Sequence, residues 1–350
     1  MSFLDSKRIV GTSTQRTGAD AIAGGWKELG RISGSRTINN SLTVSSLADK
    51  RYYMILGESQ GGATYTNDIR FNADSGSNYA FRQSVNGAAD GTSTSQTFMN
   101  FDGTGSDTDK FGVGYIANLS TKEKLYQSHV VQRGSAGASN DPKRGEFVGK
   151  WANTSNAINS ISMLNRGSGT SSGGELVVLG YDPDDTHTDN FWEELADVTL
   201  GSDASEISSG TITAKNYLWV QVYFHSASNS NDVLVRFNND TGSNYAHRHA
   251  INYGSDTTQT SGSSIKLIDR NSTADTGRFV NFFAINNSAN EKLLIAHGME
   301  EETSGAGNPP TSNECVGKWV NTSSQITEID CFTESGNIRS GARLRVWGSN

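Results

Sequence analysis

The sequence predicts an all-β protein: two tandem, homologous, antiparallel β-sandwich domains of jelly-roll-like form, preceded by a short N-terminal arm. Three observations predict it. The chain repeats itself, because Arg70-Phe71-Asn72-Ala73-Asp74-Ser75-Gly76-Ser77-Asn78-Tyr79-Ala80-Phe81-Arg82 returns without a gap as Arg236-Phe237-Asn238-Asn239-Asp240-Thr241-Gly242-Ser243-Asn244-Tyr245-Ala246-His247-Arg248, 166 positions later. Short apolar runs lie between clusters of Gly, Ser, Thr and Asn, with 38 Gly and 4 Pro in 350 residues, a mixture that favours strands and turns. No window sustains a 3.6-residue apolar period for three turns, so helix is expected only as isolated turns.

The repeat extends well beyond that motif. Trp26-Lys27-Glu28-Leu29 matches Trp192-Glu193-Glu194-Leu195 at the same offset, while Glu123-Lys124-Leu125 matches Glu291-Lys292-Leu293 and Val148-Gly149-Lys150-Trp151 matches Val316-Gly317-Lys318-Trp319 at 168. A period this long exceeds the roughly 20–50 residues of solenoid repeats and propeller blades, so each copy is read as a complete domain with its own core. The expected division is an arm over 1–25, a first sandwich over 26–182, an acidic linker over 183–190 and a second sandwich over 191–350. The arm, with Gly11, Thr12, Ser13, Thr14 and Gln15, is polar and poorly patterned; it is either disordered or ordered only against a neighbour.

Along the second copy the strands announce themselves in order. Tyr217–Phe224 alternates, with Leu218, Val220, Val222 and Phe224 expected on a dry face and Tyr217, Trp219, Gln221 and Tyr223 on a wet one. Further strands are expected at Val233–Asn238, Tyr245–Ile251, Ser264–Ile268, Phe279–Asn286, Lys292–Met299, Glu314–Trp319, Gln325–Phe332 and Ala342–Trp347, with turn clusters between them. Arg51–Gly57 opens the same series in the first copy. Eight to ten short strands per copy suit a two-sheet sandwich, which buries one face of each strand. A concanavalin-like or immunoglobulin-like arrangement would give a similar pattern.

The net charge of -8 argues against a nucleic-acid surface, which needs clustered Lys and Arg. No stretch approaches the 18 or so apolar residues that span a bilayer, and the opening residues lack the apolar core of a signal peptide. Membrane insertion and Sec-type export are therefore not expected. Cys315 and Cys331 both lie in the second copy and correspond to Phe147 and Met163. They are read as buried core residues; a disulfide between neighbouring strands is the alternative.

The repeated Asn-x-Asp-x-Gly-x-Asn-Tyr-Ala-x-Arg pattern is the strongest candidate site. Its residues are Asn72, Asp74, Asn78, Tyr79 and Arg82 in the first copy and Asn238, Asp240, Asn244, Tyr245 and Arg248 in the second. Oxygen donors at alternate positions could ring a hard cation, yet the position that would supply a bidentate Glu holds Gln83 or His249. Tyr beside Asn, Asp and Arg could instead stack and hydrogen-bond a sugar. A third reading is a hairpin turn, in which Asp and Asn satisfy their own backbone. His247 and His249 could put two imidazoles on one strand face, but no third zinc ligand is evident. His129 and His297 correspond across the copies and are read as strand residues. No nucleophile elbow, carboxylate pair or phosphate loop stands out, so no metal, no cofactor and no catalysis are expected.

Together the stretches Arg70–Arg82, Val148-Gly149-Lys150-Trp151-Ala152-Asn153-Thr154-Ser155 and Glu175-Leu176-Val177-Val178-Leu179-Gly180-Tyr181-Asp182-Pro183 resemble β-rich virion structural proteins of tailed viruses of marine microbes. The resemblance covers nearly the whole chain after about residue 25. It implies a non-enzymatic fibre, tail-associated or capsid-decorating subunit, assembled in the host cytoplasm and carried on the virion. The expected partners are further copies of the chain, as a homotrimer, other virion proteins and host surface glycans. A soluble, duplicated carbohydrate-binding module is the first alternative, because two linked weak sites gain avidity. A double-jelly-roll capsid shell protein is the second.

Overall fold

The computed structural model describes residues 25–62, 64–102, 109–183, 185, 187, 189–225, 232–269, 276–301 and 305–350. Apart from Gly25, the arm expected over 1–25 lies outside the described residues, as does the side chain of Phe224. Among the described residues every regular element is a strand, and no helix is long and apolar enough to cross a membrane.

The first copy forms β1 (Lys27–Ser33), β2 (Ser41–Ser45), β3 (Tyr52–Gln60), β4 (Asp68–Phe71), β5 (Tyr79–Val85), β6 (Gly91–Gln96), β7 (Met99–Asn100), β8 (Lys110–Ala117), β9 (Lys124–Gln132), β10 (Lys143–Trp151), β11 (Ser160–Leu164) and β12 (Gly173–Tyr181). The second repeats the series as β13 (Glu193–Thr199), β14 (Glu206–Ser208), β15 (Tyr217–His225), β16 (Val233–Phe237), β17 (Tyr245–Ile251), β18 (Thr257–Gly262), β19 (Ile265–Ile268), β20 (Gly277–Ile285), β21 (Lys292–Glu300), β22 (Thr311–Trp319), β23 (Ile329–Thr333) and β24 (Arg343–Ser349). Each copy thus exceeds the eight to ten strands expected.

Both copies pair their strands identically. An eight-stranded sheet runs β1-β12-β3-β8-β9-β10-β5-β6 and faces a four-stranded sheet β2-β11-β4-β7; the second copy gives β13-β24-β15-β20-β21-β22-β17-β18 over β14-β23-β16-β19. Within a copy the chain crosses between sheets at every link except β5–β6, β8–β9 and β9–β10. That wrapping, with antiparallel pairing, is a jelly roll in which a three-strand meander occupies one position.

The chain falls into two compact units: the described residues up to Gly134 with Gly145–Glu193, and Ser135–Arg144 with Glu194–Asn350. The units and the sequence copies therefore differ at Ser135–Arg144, the β9–β10 loop with the start of β10, which packs in the second unit. The acidic stretch over 183–190 also has attachments, all inside the first unit. Asp185 pairs with Lys50, Asp189 with Lys27 at 2.9 Å, and Asn190 Oδ1 accepts from Gly25 N–H at 2.7 Å.

Each unit has its own dry core. In the second, Leu218, Val220 and Val222 pack with Val233, Val235, Phe282 and Leu344. The expected wet face of β15 is only partly wet, because Tyr217 and Trp219 are buried while Tyr223 is exposed; Trp219 stacks on Phe283 at 5.4 Å between centroids. In the first, the Phe101 ring lies over Gly57 and Gly112, where an added Cβ would approach it to 2.6 and 2.5 Å. Only glycine lets the ring sit so low between the sheets. A buried ion pair, Lys110–Asp102 at 2.7 Å, ties β8 to the end of β7, and Arg278–Glu300 at 2.9 Å holds β20 to β21.

The strand expected at Gln325–Phe332 begins four residues later. The side-chain oxygens of Asn286 and Asn238 accept the amides of Ile326, Thr327 and Glu328, so ladder pairing starts only at Ile329. Cys315 and Cys331 are free, buried thiols on facing sheets, and burial pushes both pKa values well up.

Candidate functional site

The repeated motif folds as the turn between β4 and β5, and its side chains are committed to the fold. Asn72 and Ala73 sit at positive φ of 50° and 54°, as Asn238 and Asn239 do at 53° and 55°. Asp74 Oδ1 accepts from Gly76 N–H at 2.8 Å, and Oδ2 accepts from Asn78 Nδ2 at 2.9 Å and from Trp151 Nε1 at 2.7 Å. Asn72 Oδ1 accepts the amides of Asn159 and Ser160, while its Nδ2 donates to Ala157 O. Asp240, Asn244, Trp319 and Asn238 repeat the arrangement. Burial pushes the Asp74 and Asp240 pKa values up, but the converging donors outweigh it and hold both below the usual range.

Tyr79 and Tyr245 are buried rather than displayed. Each hydroxyl accepts from an amide and donates to the carbonyl of one residue, Phe71 or Phe237, at 3.1–3.2 Å. Each ring stacks on a tryptophan, Trp151 at 6.3 Å and Trp319 at 6.4 Å, so its faces are covered. Burial pushes both hydroxyl pKa values well up. The motif arginines lie past the turn, on β5 and β17, where Arg82 is exposed and Arg248 half-buried. Arg82 pairs with Asp90 at 2.9 Å; Arg248 donates to Pro142 O at 2.9 Å and pairs with Asp141.

His247 and His249 do share a strand face, with rings 5.4 Å apart. His249 bonds Asp269 Oδ2 at 2.8 Å. Burial, with His249 and Lys266 beside it, lowers the His247 pKa to about 3, so that ring is neutral. Among the described residues no group of three or more His, Cys, Asp or Glu is placed to hold a metal.

The open site lies elsewhere, on the face of the larger first-unit sheet that points away from the core. A groove of about 860 Å³ crosses β6, β5, β10, β9 and β8. Arg82 stands opposite Val148, and Ala80 opposite Lys150; Leu125 and Gln127 continue the floor from β9. Leu125 and Val148 are 58% and 50% exposed, unusual for apolar side chains in mid-sheet. At one end Trp26 packs on Tyr181 (5.7 Å) and Tyr115 (6.5 Å), and Tyr181 stacks with Tyr52 (6.3 Å). The charged groups come in pairs, Arg82–Asp90 and Lys150–Glu123, both at 2.9 Å. Sequence reasoning missed this groove, although apolar Leu125 and Val148 at outward positions were a signal for it.

In the second unit the matching strands bind a segment of chain, Ser135–Arg144. Lys318 Nζ donates to Ser135 O, Gly137 N–H to Glu291 Oε1, and Ser261 N–H to Ala138 O, all at 2.7 Å. Arg144 pairs with Asp256 at 2.7 Å and with Glu314.

No family model matches the chain, and no curated protein matches it. Among solved structures, domains LG4-5 of the mouse laminin alpha1 chain align with 91% of this chain and 89% of that one at 9% identity and a TM-score of 0.21. YhaK from Escherichia coli aligns over 91% and 83% at 6% identity, TM-score 0.14. Ail of Yersinia pestis aligns over 78% and 99% at 7% identity, TM-score 0.12. The sandwich is read from the sheets themselves: strand order, register and core.

Proposed function

We propose that this chain is a non-enzymatic structural subunit of a virus particle, a capsid-decorating, fibre or tail-associated protein that holds its neighbours through sandwich faces as a homo-oligomer, of which a trimer is the expected form. One observation carries the reading: the open groove of the first unit is an apolar floor with an aromatic end and paired charges at its side. Exposed aliphatic and aromatic side chains with a charged rim are the make-up of a contact surface. A hydrolytic cleft would instead present two carboxylates to one bond; here Asp90 and Glu123 are each held by a cation. The likeness of Val148–Ser155 and Glu175–Pro183 to virion proteins supports the particle, and cores that use no disulfide suit assembly in a reducing cytoplasm. Imaging and peptide mapping of purified particles test the proposal. Absence of the chain from the mature virion sinks it.

A second reading, a carbohydrate-binding module, is favoured by the aromatic group Trp26, Tyr52 and Tyr181 beside Gln127 and Arg82, since sugar faces stack on rings while hydroxyls take directed hydrogen bonds. A glycan array decides. Binding lost in Trp26→Ala and Tyr52→Ala promotes it, and silence across all sugars removes it.

A further inference from the structure

We infer that the chain joins to itself head to tail: the β21–β22 loop of one copy, Gly305–Pro310, docks in the first-unit groove of the next copy. This deepens the structural-subunit reading by naming the partner of the groove. It stands on a comparison of equivalent positions in the two units.

In the second unit, the receptor for the Ser135–Arg144 segment is built from Glu291, Lys318, Ser261 and Arg248. At the offsets of the repeat, 168 for the first two and 166 for the others, the first unit has Glu123, Lys150, Ser95 and Arg82. The same residue types are present at all four places. Even the backbone agrees, since Ser95 and Ser261 both take the left-handed conformation, at φ 53° and 52°. The acidic partners recur as well, with Asp90 for Asp256 and Glu146 for Glu314.

The docked loop is duplicated too. Gly137-Ala138-Ser139-Asn140-Asp141-Pro142 corresponds to Gly305-Ala306-Gly307-Asn308-Pro309-Pro310. Gly137 and Gly305 have φ 88° and 101°, and each turn closes on the same bond, Asn140 N–H to Gly137 O at 3.2 Å and Asn308 N–H to Gly305 O at 3.1 Å. Four of the docking bonds use only loop backbone atoms, the Ser135, Ala138 and Pro142 carbonyls and the Gly137 amide. Side-chain differences therefore leave the bonds of Gly137, Ala138 and Pro142 available to their counterparts Gly305, Ala306 and Pro310.

One receptor is filled and the other is open. The Lys318 side chain is 0% exposed and Lys150 48%; Arg248 is 15% exposed and Arg82 56%. Gly305–Pro310 is exposed throughout. Each chain thus presents one open receptor and one exposed plug, built from different residues in different units. Such a heterologous contact propagates, and it closes into a ring if the rotation per copy permits or grows as a fibre if it does not. Three ion pairs of the filled site, Asp141–Arg248, Arg144–Asp256 and Arg144–Glu314, have no counterpart in the open one, because Asp141 and Arg144 correspond to Pro309 and Ser312. The contact between copies is accordingly weaker and concentration-dependent, while Pro309-Pro310 reduces the ordering it requires.

Sedimentation of the full chain over a concentration series tests the contact. Mass is expected to rise with concentration, either to one ring size or without limit. Lys150→Glu with Arg82→Glu should abolish the rise, as should Ala306→Arg. An equimolar mixture of the two variants should give a 1:1 dimer and nothing larger, because only one good plug and one good receptor remain. If the double charge reversal melts early, Leu125→Asp replaces it as the receptor variant. A chain that stays monomeric to about 1 mM, the weak limit of useful affinity, overturns the inference, as does growth unaffected by Ala306→Arg or a mixture that forms no dimer. Particles that lack the chain would remove the virion reading and leave these masses unchanged, so the two failures are distinguishable.

Discussion

Asp74, in the β4–β5 turn, accepts the indole N–H of Trp151 from the end of β10 at 2.7 Å, and Asp240 with Trp319 repeats the bond at 2.7 Å. The turn is thereby fastened to the larger sheet 77 residues away, with Tyr79 stacked on the same indole. The most recognisable words of the sequence are structural ones.

Asp74→Ala should therefore destabilise the first unit by about 1–3 kcal/mol, because the Trp151 N–H is left without its acceptor. Urea titration measures it, and Asp240→Ala should act equally on the second unit. The folded pKa of Asp74 lies below its unfolded value of about 3.9. Its contribution is present above about pH 4 and is lost as pH falls through the folded value. Asp74→Asn should flatten that acid-side loss.

Tyr79→Phe removes a hydroxyl that both donates to and accepts from Phe71. The expected cost is about 1–2 kcal/mol, read as a lower denaturation midpoint at unchanged slope. A variant of unchanged stability but altered glycan binding would return Tyr79 to the surface-ligand reading.

Asp68 should give the opposite pH signature to Asp74. Burial raises its pKa to about 6, against the pull of Arg166 at 2.9 Å. The folded state then holds a proton that the unfolded state has released, so stability falls as pH rises from about 4 to 6. Melting temperatures of Asp68→Asn across that window should lose this slope. A slope that persists in the variant assigns it to another group.

Lys110→Met should cost about 3–5 kcal/mol, since Asp102 would be left buried and uncompensated. The double change Lys110→Met with Asp102→Leu should recover most of that loss. Thermal melts of both variants decide, and a double variant as weak as the single one refutes the account.

Much of the fold was legible in the sequence, and particular strands show why. β15, β17 and β21 carry apolar residues at short regular spacing, and their positions follow from that spacing. β18, Thr257–Gly262, is exposed along most of its length and exists because β17 offers it a ladder; its Thr, Gln and Ser carry no apolar period to read. β13 and β14 are edge strands too, but Leu195, Val198 and Ile207 tie them to the core; each is too short or too mixed in sequence for a period to be read. The motif spacing favoured a turn but left a cation loop and a sugar site open, because it could not show which partner each oxygen meets.

What the sequence by itself determined is local and repeated: an all-strand chain, a module present twice, and a turn placed alike in both copies. These follow from residue spacing, which fixes the face a side chain takes on a strand. The tertiary structure decided the rest: the eight-over-four sheet order, the burial of Tyr79 against Trp151, and the open groove between Arg82 and Lys150 set against a filled one at Arg248 and Lys318. Those relations join residues tens of positions apart, and only packing and backbone pairing bring them together.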